Sequence, residues 1–369
     1  MAGDINICRL QKKIALVGYR LNGGGAERVA ATLSHFFHDT NIEVHHIIVL
    51  DDIAYSYSGS VFNLGKLKNK TNGLFNKLNR LIALKKYLNQ HQFDFIIDFR
   101  FRTKPIQELL IARVFYNSKS IFTVHSSELE VYMPNQSFLT RITYANAYKI
   151  IAITKSMQEM IESKHNLKNV MTIYNPINSE EIKKLAQEKV DLDYDYVISA
   201  GRFDSNVKQF DKLIYAYAQS VLPNNNIHLV ILGEGTRKNE LMEVARKNGV
   251  SNLVHFLGFK NNPYKYYKQA KFYILSSMLE GMPMVLIEAL SCGTPVISFD
   301  CETGPREIIS DRENGLLVEN QNIEKLIDAI NLFETDNALY TYCKSNSTKI
   351  ISKFSIKKIG KQWLKLMFD

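Results

Sequence analysis

Short apolar runs alternate with helical patterns in two separate series along this chain of 369 residues. The first series includes the apolar runs 13–17, 44–50, 93–98 and 120–125, and the second begins at residues 196–200. Strands that alternate with helices are typical of a mostly parallel sheet covered by helices. The sequence therefore predicts an α/β protein with two Rossmann-like domains that face each other across a cleft.

The polar stretch 175–181 separates the two series, and its turn-forming and charged residues are typical of a connection between domains. We expect a first domain over residues 1–176 and a second over residues 177–350. Residues 351–369 form a further segment, and its apolar run around Trp363 predicts a C-terminal helix that packs on a domain surface.

The composition narrows the class of protein. No apolar run approaches the roughly 18 residues that span a bilayer, and the N-terminus does not resemble a secretory signal. Four cysteines, Cys8, Cys292, Cys301 and Cys343, show neither metal spacing nor a dense disulfide pattern. We expect a cytoplasmic protein, with peripheral attachment to the inner face of the cell membrane left open.

The net charge of +9 is concentrated in one segment. Residues 53–93 contain no Asp or Glu, whereas Lys and Arg recur between residues 66 and 86 beside an apolar stripe at helical spacing. Such a helix suits an anionic membrane surface or a polyanionic acceptor. The alternative is that the stripe packs on the core and the lysines are merely solvated. Nucleic acid is not predicted, because no nucleic-acid motif accompanies the charge.

Two carboxylates, Glu280 and Glu288, enclose a Gly-Met-Pro turn and the start of an apolar helix. Pro283 suits the first turn of that helix, where the amides of Met284, Val285 and Leu286 would favour an anion. Carboxylates bind phosphate poorly but accept hydrogen bonds from hydroxyl groups. Together these features predict a sugar-nucleotide site, whereas either Glu alone could be an ordinary exposed acid.

Two other loops follow predicted strands. Arg202 and Lys208 lie after the strand 196–200, where ligands of open α/β sheets bind and two cations could neutralise a diphosphate. The glycine-rich turn 22–28 allows close approach of backbone to phosphate. It lacks the spacing of a dinucleotide fingerprint, so a nicotinamide site is not predicted. Surface cations and a tight turn without ligand are the alternatives.

The spacing from Glu280 to Glu288 resembles the E-x7-E motif of the retaining glycosyltransferases of family 4, which have the GT-B fold. The resemblance implies that Glu280 contacts the donor sugar, Glu288 the ribose, and Arg202 with Lys208 the diphosphate. It also implies that Gly24 approaches the diphosphate and that His125 lies near the sugar, with Glu128 as an acceptor contact. Further donor contacts are implied in the loops after two strands and at the helix start: Gly233, Phe259, Lys260, Met284, Val285 and Leu286.

By the same resemblance, the first domain binds the acceptor and the second a nucleotide sugar, in particular a UDP-sugar. The C-terminal helix is implied to cross back to the first domain. The implied reaction transfers a hexose or N-acetylhexosamine with retention to a glycan or polyprenyl-diphosphate-linked saccharide, with Glu280, His125, Arg202 and Lys208 as catalytic residues. No cofactor or metal is expected, since the acids at Asp191, Asp193 and Asp195 precede a strand in a polar linker. A sugar-nucleotide epimerase and a non-catalytic binder of anionic lipid or polymer remain as alternatives.

Overall fold

A computed structural model describes residues 11–69, 73–116 and 119–369. The chain divides into two compact units. The first contains the chain up to Ile153 together with Gln158–Pro176 and Ile359–Asp369, and the second contains Thr154–Met157 and Ile177–Lys358. Within the described residues, no helix combines the length and the apolar character that crossing a bilayer requires.

The first unit is built on a sheet of seven parallel strands. The strands are β1 Lys13–Gly18, β2 Glu43–Ile48, β3 Ser60–Asn63, β4 Phe95–Asp98, β5 Ser120–Val124, β6 Lys149–Ala152 and β7 Val170–Thr172. Their order across the sheet is β3-β2-β1-β4-β5-β6-β7. The order reverses between β1 and β4, and ligands of open α/β sheets bind beyond the carboxyl ends of the strands at such a point.

The second unit contains a sheet of six parallel strands in the order β10-β9-β8-β11-β12-β13. These strands are β8 Tyr196–Ala200, β9 His228–Leu232, β10 Val254–Gly258, β11 Tyr273–Leu275, β12 Val296–Phe299 and β13 Gly315–Val318. Strand β8 is buried at every position, as expected for a central parallel strand covered on both faces. Here the order reverses between β8 and β11.

Helices connect the strands in both units. Along the first part of the chain they are α1 Gly25–Asp39, α2 Leu74–His91, α3 Pro105–Leu110, α4 Ser137–Tyr144 and α5 Lys155–His165. The remainder are α6 Ser179–Leu185, α7 Phe210–Gln219, α8 Lys238–Lys247, α9 Tyr264–Gln269, α10 Met284–Ser291, α11 Pro305–Ile308, α12 Ile323–Thr335, α13 Asn337–Asn346 and α14 Ile356–Phe368. Short 3-10 turns occupy Leu64–Leu67, Leu129–Val131 and Lys349–Phe354.

The alternating pattern predicted this architecture, and the prediction of an α/β protein with two Rossmann-like domains is confirmed. The short strands β3 and β13 were not predicted. Helix α3 continues into a π-helical turn, Ile111–Phe115. Strand β3 has only four residues, none of them buried, so it lacked the buried apolar run that marks the other strands.

Helix α2 forms where the basic amphipathic segment predicted a helix, but its stripe does not pack on the core along its whole length. Leu84 and Leu88, in its second half, are buried. By contrast, Leu74 and Phe75 are 83% and 87% exposed, and Leu78 and Ile82 are more than half exposed. The first two turns of α2 therefore present large apolar side chains to the surroundings.

The end of the chain packs within the first unit. The Phe368 ring contacts the Phe95 ring edge-on at a centroid distance of 5.6 Å, and the Tyr148 hydroxyl donates to the Leu366 carbonyl at 2.9 Å. Gly360 allows close approach of Phe36, since a Cβ atom at residue 360 would lie 2.3 Å from that ring. Trp363 is buried in the same helix.

Candidate active site

Two loops at the carboxyl edge of the second sheet bring predicted site residues together. The loop after β8 carries Lys208, and the loop after the adjacent strand β11 carries Glu280. The Lys208 ammonium lies 2.5 Å from the Glu280 carboxylate, with the two side chains 24% and 11% exposed. A half-buried ion pair therefore lies at the point where the strand order reverses, which is the expected ligand position in this type of sheet.

Backbone contacts fix the relative position of these two loops. The Ser276 hydroxyl donates to the Lys208 carbonyl at 2.7 Å, and the Met278 amide donates to the Val207 carbonyl at 2.8 Å. The Thr303 hydroxyl donates to the Glu280 carbonyl from a third loop. The ion pair is therefore held by the backbone on both sides. None of these supporting hydroxyls was predicted from the sequence, because an isolated Ser or Thr after a strand carries no distinctive signal.

Arg202 lies in the same loop as Lys208 but makes a different ion pair. Its guanidinium donates to the Asp204 carboxylate, with Nε at 2.9 Å and the second nitrogen at 2.5 Å. The Arg202 side chain is 79% exposed, so it can rotate toward an anion with little loss of packing. Its role in binding diphosphate stays a prediction.

The start of α10 differs in part from the prediction. Pro283 precedes the helix as its N-cap, and Met284 and Val285 are half-buried in its first turn, where backbone amides have no acceptor within the helix. The Leu286 amide, however, donates to the Pro283 carbonyl at 3.0 Å. The tight turn at Pro283 thus uses the Leu286 amide in this conformation, and the contact of Leu286 with an anion stays a prediction.

Glu288 is 6% exposed and lies in the interior of α10, four residues after Met284. At 1.5 Å per residue, its backbone is about 6 Å along the helix axis from the first turn. Burial and the neighbouring Glu288 carboxylate raise the pKa of Cys292 to about 12, so the Cys292 thiol stays protonated. The ribose contact of Glu288 stays a prediction.

Glycines at the ends of β8, β9 and β10 allow the adjacent loops to pack closely. Gly233 has a φ of +134°, and a Cβ atom there would lie 1.9 Å from the Gly201 carbonyl oxygen. The Glu234 carboxylate accepts a hydrogen bond from the Phe259 amide at 3.3 Å. The Phe259 ring is exposed, and Lys260 lies over the Tyr266 ring at 5.9 Å. Gly233, Phe259 and Lys260 thus share one edge of the sheet, and their contact with a nucleotide base stays a prediction.

In the first unit, the glycine-rich turn leads from β1 into α1. Gly23 has a φ of +73°, which favours glycine, and Gly24 is the N-cap of α1 in an extended conformation. The Gly24 amide donates to the Asn22 carbonyl at 3.0 Å, so any contact of Gly24 with phosphate would not use that amide in this conformation. The first-turn amides from Gly25 onward are the donors that α1 leaves for an anion.

His125 follows β5 and has a defined tautomer. Thr123 donates its hydroxyl proton to the Asp98 carbonyl at 3.1 Å, so His125 Nε2, 3.0 Å from the Thr123 hydroxyl oxygen, must be the donor in that contact. His125 Nδ1 is then an acceptor, and among the described residues it has no hydrogen-bond partner. Burial and the nearby Arg102 lower the pKa of His125 to about 3. His125 is therefore neutral, and its Nδ1 is an acceptor suited to a hydroxyl group.

This assignment predicts a pH dependence of stability. The folded pKa of His125 lies below the unfolded value of about 6.5, so its contribution is complete above pH 6.5 and is lost as the pH falls toward 3. Urea titrations at pH 7 and pH 5 measure the unfolding free energy. Its decrease between these two pH values should be about 1–2 kcal/mol smaller for His125→Gln than for the unaltered protein. His38→Gln, at an exposed histidine, is the control. Equal losses in the His125→Gln variant and the unaltered protein would mean that folding does not lower the pKa of His125.

Sequence reasoning missed a buried charged network directly after β4. The Arg100 guanidinium contacts Asp98 in a two-pronged ion pair, at 3.0 and 2.7 Å, and also donates to Glu108 at 2.9 Å. Tyr116 donates to the same Asp98 carboxylate at 3.0 Å. Asp98, Arg100 and Glu108 are all at most 5% exposed. The alternation Asp98-Phe-Arg100-Phe-Arg102 at a strand end was the available signal.

Metal ligands are sparse among the described residues. One group there, Glu43, His45 and His91, places its ligand atoms within 4.8 Å of one another. It lies at the amino end of β2, the edge opposite to the glycine-rich turn. Asp191, Asp193 and Asp195 are exposed ahead of β8, as expected for solvated acids. Our expectation that the reaction needs no metal stays a prediction.

Comparisons with known proteins identify the class. Residues 180–350 match the family described as glycosyl transferases group 1, and residues 23–181 match glycosyltransferase family 4. The chain belongs to the group 1, family 4 glycosyltransferases, and it is an enzyme of the transferase class with the GT-B fold. The resemblance of the Glu280 to Glu288 segment to this family is therefore confirmed.

Individual relatives match nearly the whole chain. A Campylobacter jejuni enzyme, N-acetylgalactosamine-N,N'-diacetylbacillosaminyl-diphospho-undecaprenol 4-alpha-N-acetylgalactosaminyltransferase, is 30% identical, over 96% of this chain and 99% of its own. A second C. jejuni alpha-1,4-N-acetyl-D-galactosaminyltransferase, which acts on a diphospho-undecaprenol-linked saccharide, is 28% identical, over 97% and 98%. The S. aureus protein TarM, crystallised with UDP, has a TM-score of 0.75 at 17% identity, over 97% of this chain and 100% of that chain.

Proposed function

We propose that this enzyme transfers a hexose or N-acetylhexosamine from a nucleoside diphosphate sugar, in particular a UDP-sugar, with retention at the anomeric carbon. The observation that carries the proposal is the Lys208–Glu280 pair, 2.5 Å apart, where the strand order of the second sheet reverses. It combines a cation for phosphate with a carboxylate for sugar hydroxyls. The first turn of α10 follows Glu280 in the same loop and adds amides for an anion.

In the proposed reaction, the bond from the anomeric carbon to the donor phosphate breaks, and a bond to the acceptor hydroxyl oxygen forms on the same face. Negative charge develops on the departing diphosphate, where Lys208, Arg202 and the amides of Met284 and Val285 stabilise it. The departing phosphate takes the acceptor proton. Glu280 accepts hydrogen bonds from the sugar ring, and Glu288 binds the ribose.

We further propose that the acceptor is a polyprenyl-diphosphate-linked saccharide or a growing glycan in surface polysaccharide or glycoconjugate assembly. The two C. jejuni relatives support this, because each is named for a diphospho-undecaprenol-linked substrate. The exposed apolar start of α2 also supports a peripheral position on an anionic membrane through residues 66–86. Co-sedimentation with anionic and neutral vesicles tests that attachment.

A transfer assay with a panel of UDP- and GDP-sugars tests the reaction. With one UDP-sugar and an undecaprenyl-diphosphate-linked oligosaccharide, we expect a product one sugar longer. NMR should show the same anomeric configuration as the donor, and excess EDTA should leave the rate unchanged. An inverted product would exclude retention, and transfer that stops in EDTA would exclude metal independence.

An epimerase with the same fold would bind the same donor, so the assay includes reactions without acceptor. A transferase consumes the donor rapidly only when the acceptor is present. If the donor is consumed equally fast without acceptor and a free or isomerised sugar appears, the epimerase is favoured instead.

A further inference from the structure

A basic pocket lies in the first unit, at the carboxyl edge of its sheet. It has a volume of about 230 Å³ and is lined by Tyr19 after β1, Val49 after β2 and Arg100 after β4, and by residues of α2 and α3. The strand order reverses between β1 and β4, so this is again the position where such sheets bind ligands. Its volume is below the roughly 300–1,000 Å³ of pockets that enclose a drug-sized molecule, and it therefore suits a small head group.

Cationic side chains outnumber carboxylates in the pocket lining. Lys77 and Arg80 come from α2, and Lys104 precedes α3. Among the described residues, none of these three has a carboxylate within ion-pair distance. Arg100 and Glu108 also line the pocket but bind each other at 2.9 Å. The remaining charge is positive, which favours an anionic ligand.

Arg80 is the residue that argues most strongly for a ligand. One guanidinium nitrogen donates to the Val49 carbonyl at 2.6 Å, which fixes the side chain at the pocket wall. Its Nε is buried and, within the described part of the chain, has no hydrogen-bond partner. A partly desolvated cation with an unused donor is costly unless an anion completes it. A phosphate in the pocket supplies the compensating charge.

The helical segments that line this pocket also carry large exposed apolar side chains. Helix α2 contributes Leu74, Phe75, Leu78 and Ile82, and the segment of α3 and the π-helical turn contributes Ile106, Leu110 and Val114. Lys85 joins the two helical segments, since its ammonium donates to the Val114 carbonyl at 2.5 Å. An anion pocket on helices that also carry exposed apolar side chains matches a ligand with its phosphate next to a hydrocarbon chain.

We propose that Lys77, Arg80 and Lys104 bind the diphosphate of a prenyl-linked acceptor, with the hydrocarbon chain on the exposed faces of α2 and α3. This deepens the proposed function, on which it rests, by assigning the acceptor diphosphate its own binding residues. They lie in the first unit, apart from the Lys208 and Glu280 loops that carry the donor proposal.

Binding of farnesyl diphosphate to the full chain, measured by calorimetry with saturating UDP to occupy the donor site, tests this assignment. Arg80→Gln should weaken binding about tenfold or more, and Lys77→Gln or Lys104→Gln severalfold. Lys86→Gln is the matched control, because Lys86 is an exposed lysine of the same helix that does not line the pocket. Arg80→Lys should retain part of the affinity, and thermal denaturation verifies that each variant is folded.

The ligand panel separates the possible sources of phosphate. We expect farnesyl diphosphate to bind more tightly than inorganic diphosphate, and farnesol to bind weakly. Equal affinity for inorganic diphosphate would overturn the assignment to a prenyl-linked ligand, and unchanged binding by Arg80→Gln would overturn the pocket. In the transfer assay, Arg80→Gln should raise the acceptor KM while the donor KM stays constant. Failure of the unaltered enzyme to transfer sugar would count against the proposed function, whereas transfer unaffected by Arg80→Gln would count against this pocket alone.

Discussion

Lys208→Met and Glu280→Gln should each lower the rate of sugar transfer by about 10²–10³-fold while the protein remains folded. In the proposed reaction, Lys208→Met removes the charge that stabilises the departing diphosphate, and Glu280→Gln removes the charged acceptor that orients the sugar. Both side chains lie on loops held by hydrogen bonds from the Ser276 hydroxyl and the Met278 amide to backbone carbonyls, so the loop positions should persist. Initial rates with saturating donor and acceptor measure the effect, and circular dichroism checks the fold.

The double variant, Lys208→Met with Glu280→Gln, tests whether the two residues act together or independently. Because the two groups form one ion pair and act on one substrate, their effects should be far from additive, with the double variant close to the worse single variant. Glu243→Gln is the control, since it removes a carboxylate from an exposed ion pair with Arg246 in the same unit. Normal turnover by either single variant would exclude that residue from the active site.

Asp98→Asn should lower the unfolding free energy of the first unit by about 3–5 kcal/mol, the usual effect of breaking a buried ion pair. The substitution keeps the size of the side chain but leaves Arg100, which is 5% exposed, with Glu108 as its remaining carboxylate partner. Tyr116 would also lose a charged acceptor. Urea titration followed by circular dichroism measures the change.

Two further variants test the cause of that loss. Adding Arg100→Met to Asp98→Asn should restore part of the stability, because it removes a buried cation that has lost its Asp98 partner. Burial raises the pKa of the Glu108 carboxyl, which favours its neutral form once Arg100 is gone. Glu130→Ala removes an exposed partner of Lys164 in the same unit and should have little effect. If the double variant is less stable than Asp98→Asn, charge pairing is not the cause.

The sequence predicted the two sheets well because their central strands are continuous apolar runs such as 196–200, whose burial has a direct compositional signal. It also placed Lys208 and Glu280 at strand ends. It could not show that they form an ion pair, because 72 residues separate them and their distance depends on β8 and β11 being neighbours. Similarly, the pattern of α2 fixed a helix but not whether its apolar stripe is covered, which depends on what packs against it.

Other features escaped prediction for local reasons. The Leu286 amide is used by the turn at Pro283, a detail of dihedral angles that residue types do not determine. Arg100 and Glu108 resemble ordinary surface charges in sequence, and only the packing of α3 and the π-helical turn over the sheet buries them. The sequence therefore indicated the two loops of the second unit that carry the proposed donor site. The buried charged network of the first unit became visible only in the structure.

The ion pair between Lys208 and Glu280 has a consequence for the enzyme cycle. A free phosphate ion competes with a carboxylate already bound to Lys208 and offers nothing to Glu280 in return. A sugar nucleotide, bound as proposed, supplies a phosphate to one partner and hydroxyl groups to the other. Once the sugar has left, Glu280 again lacks a ligand and competes with the remaining nucleotide for the Lys208 ammonium. In the proposed cycle, the same contact thus discriminates against simple anions on entry and promotes release of the spent nucleotide at the end of each turnover.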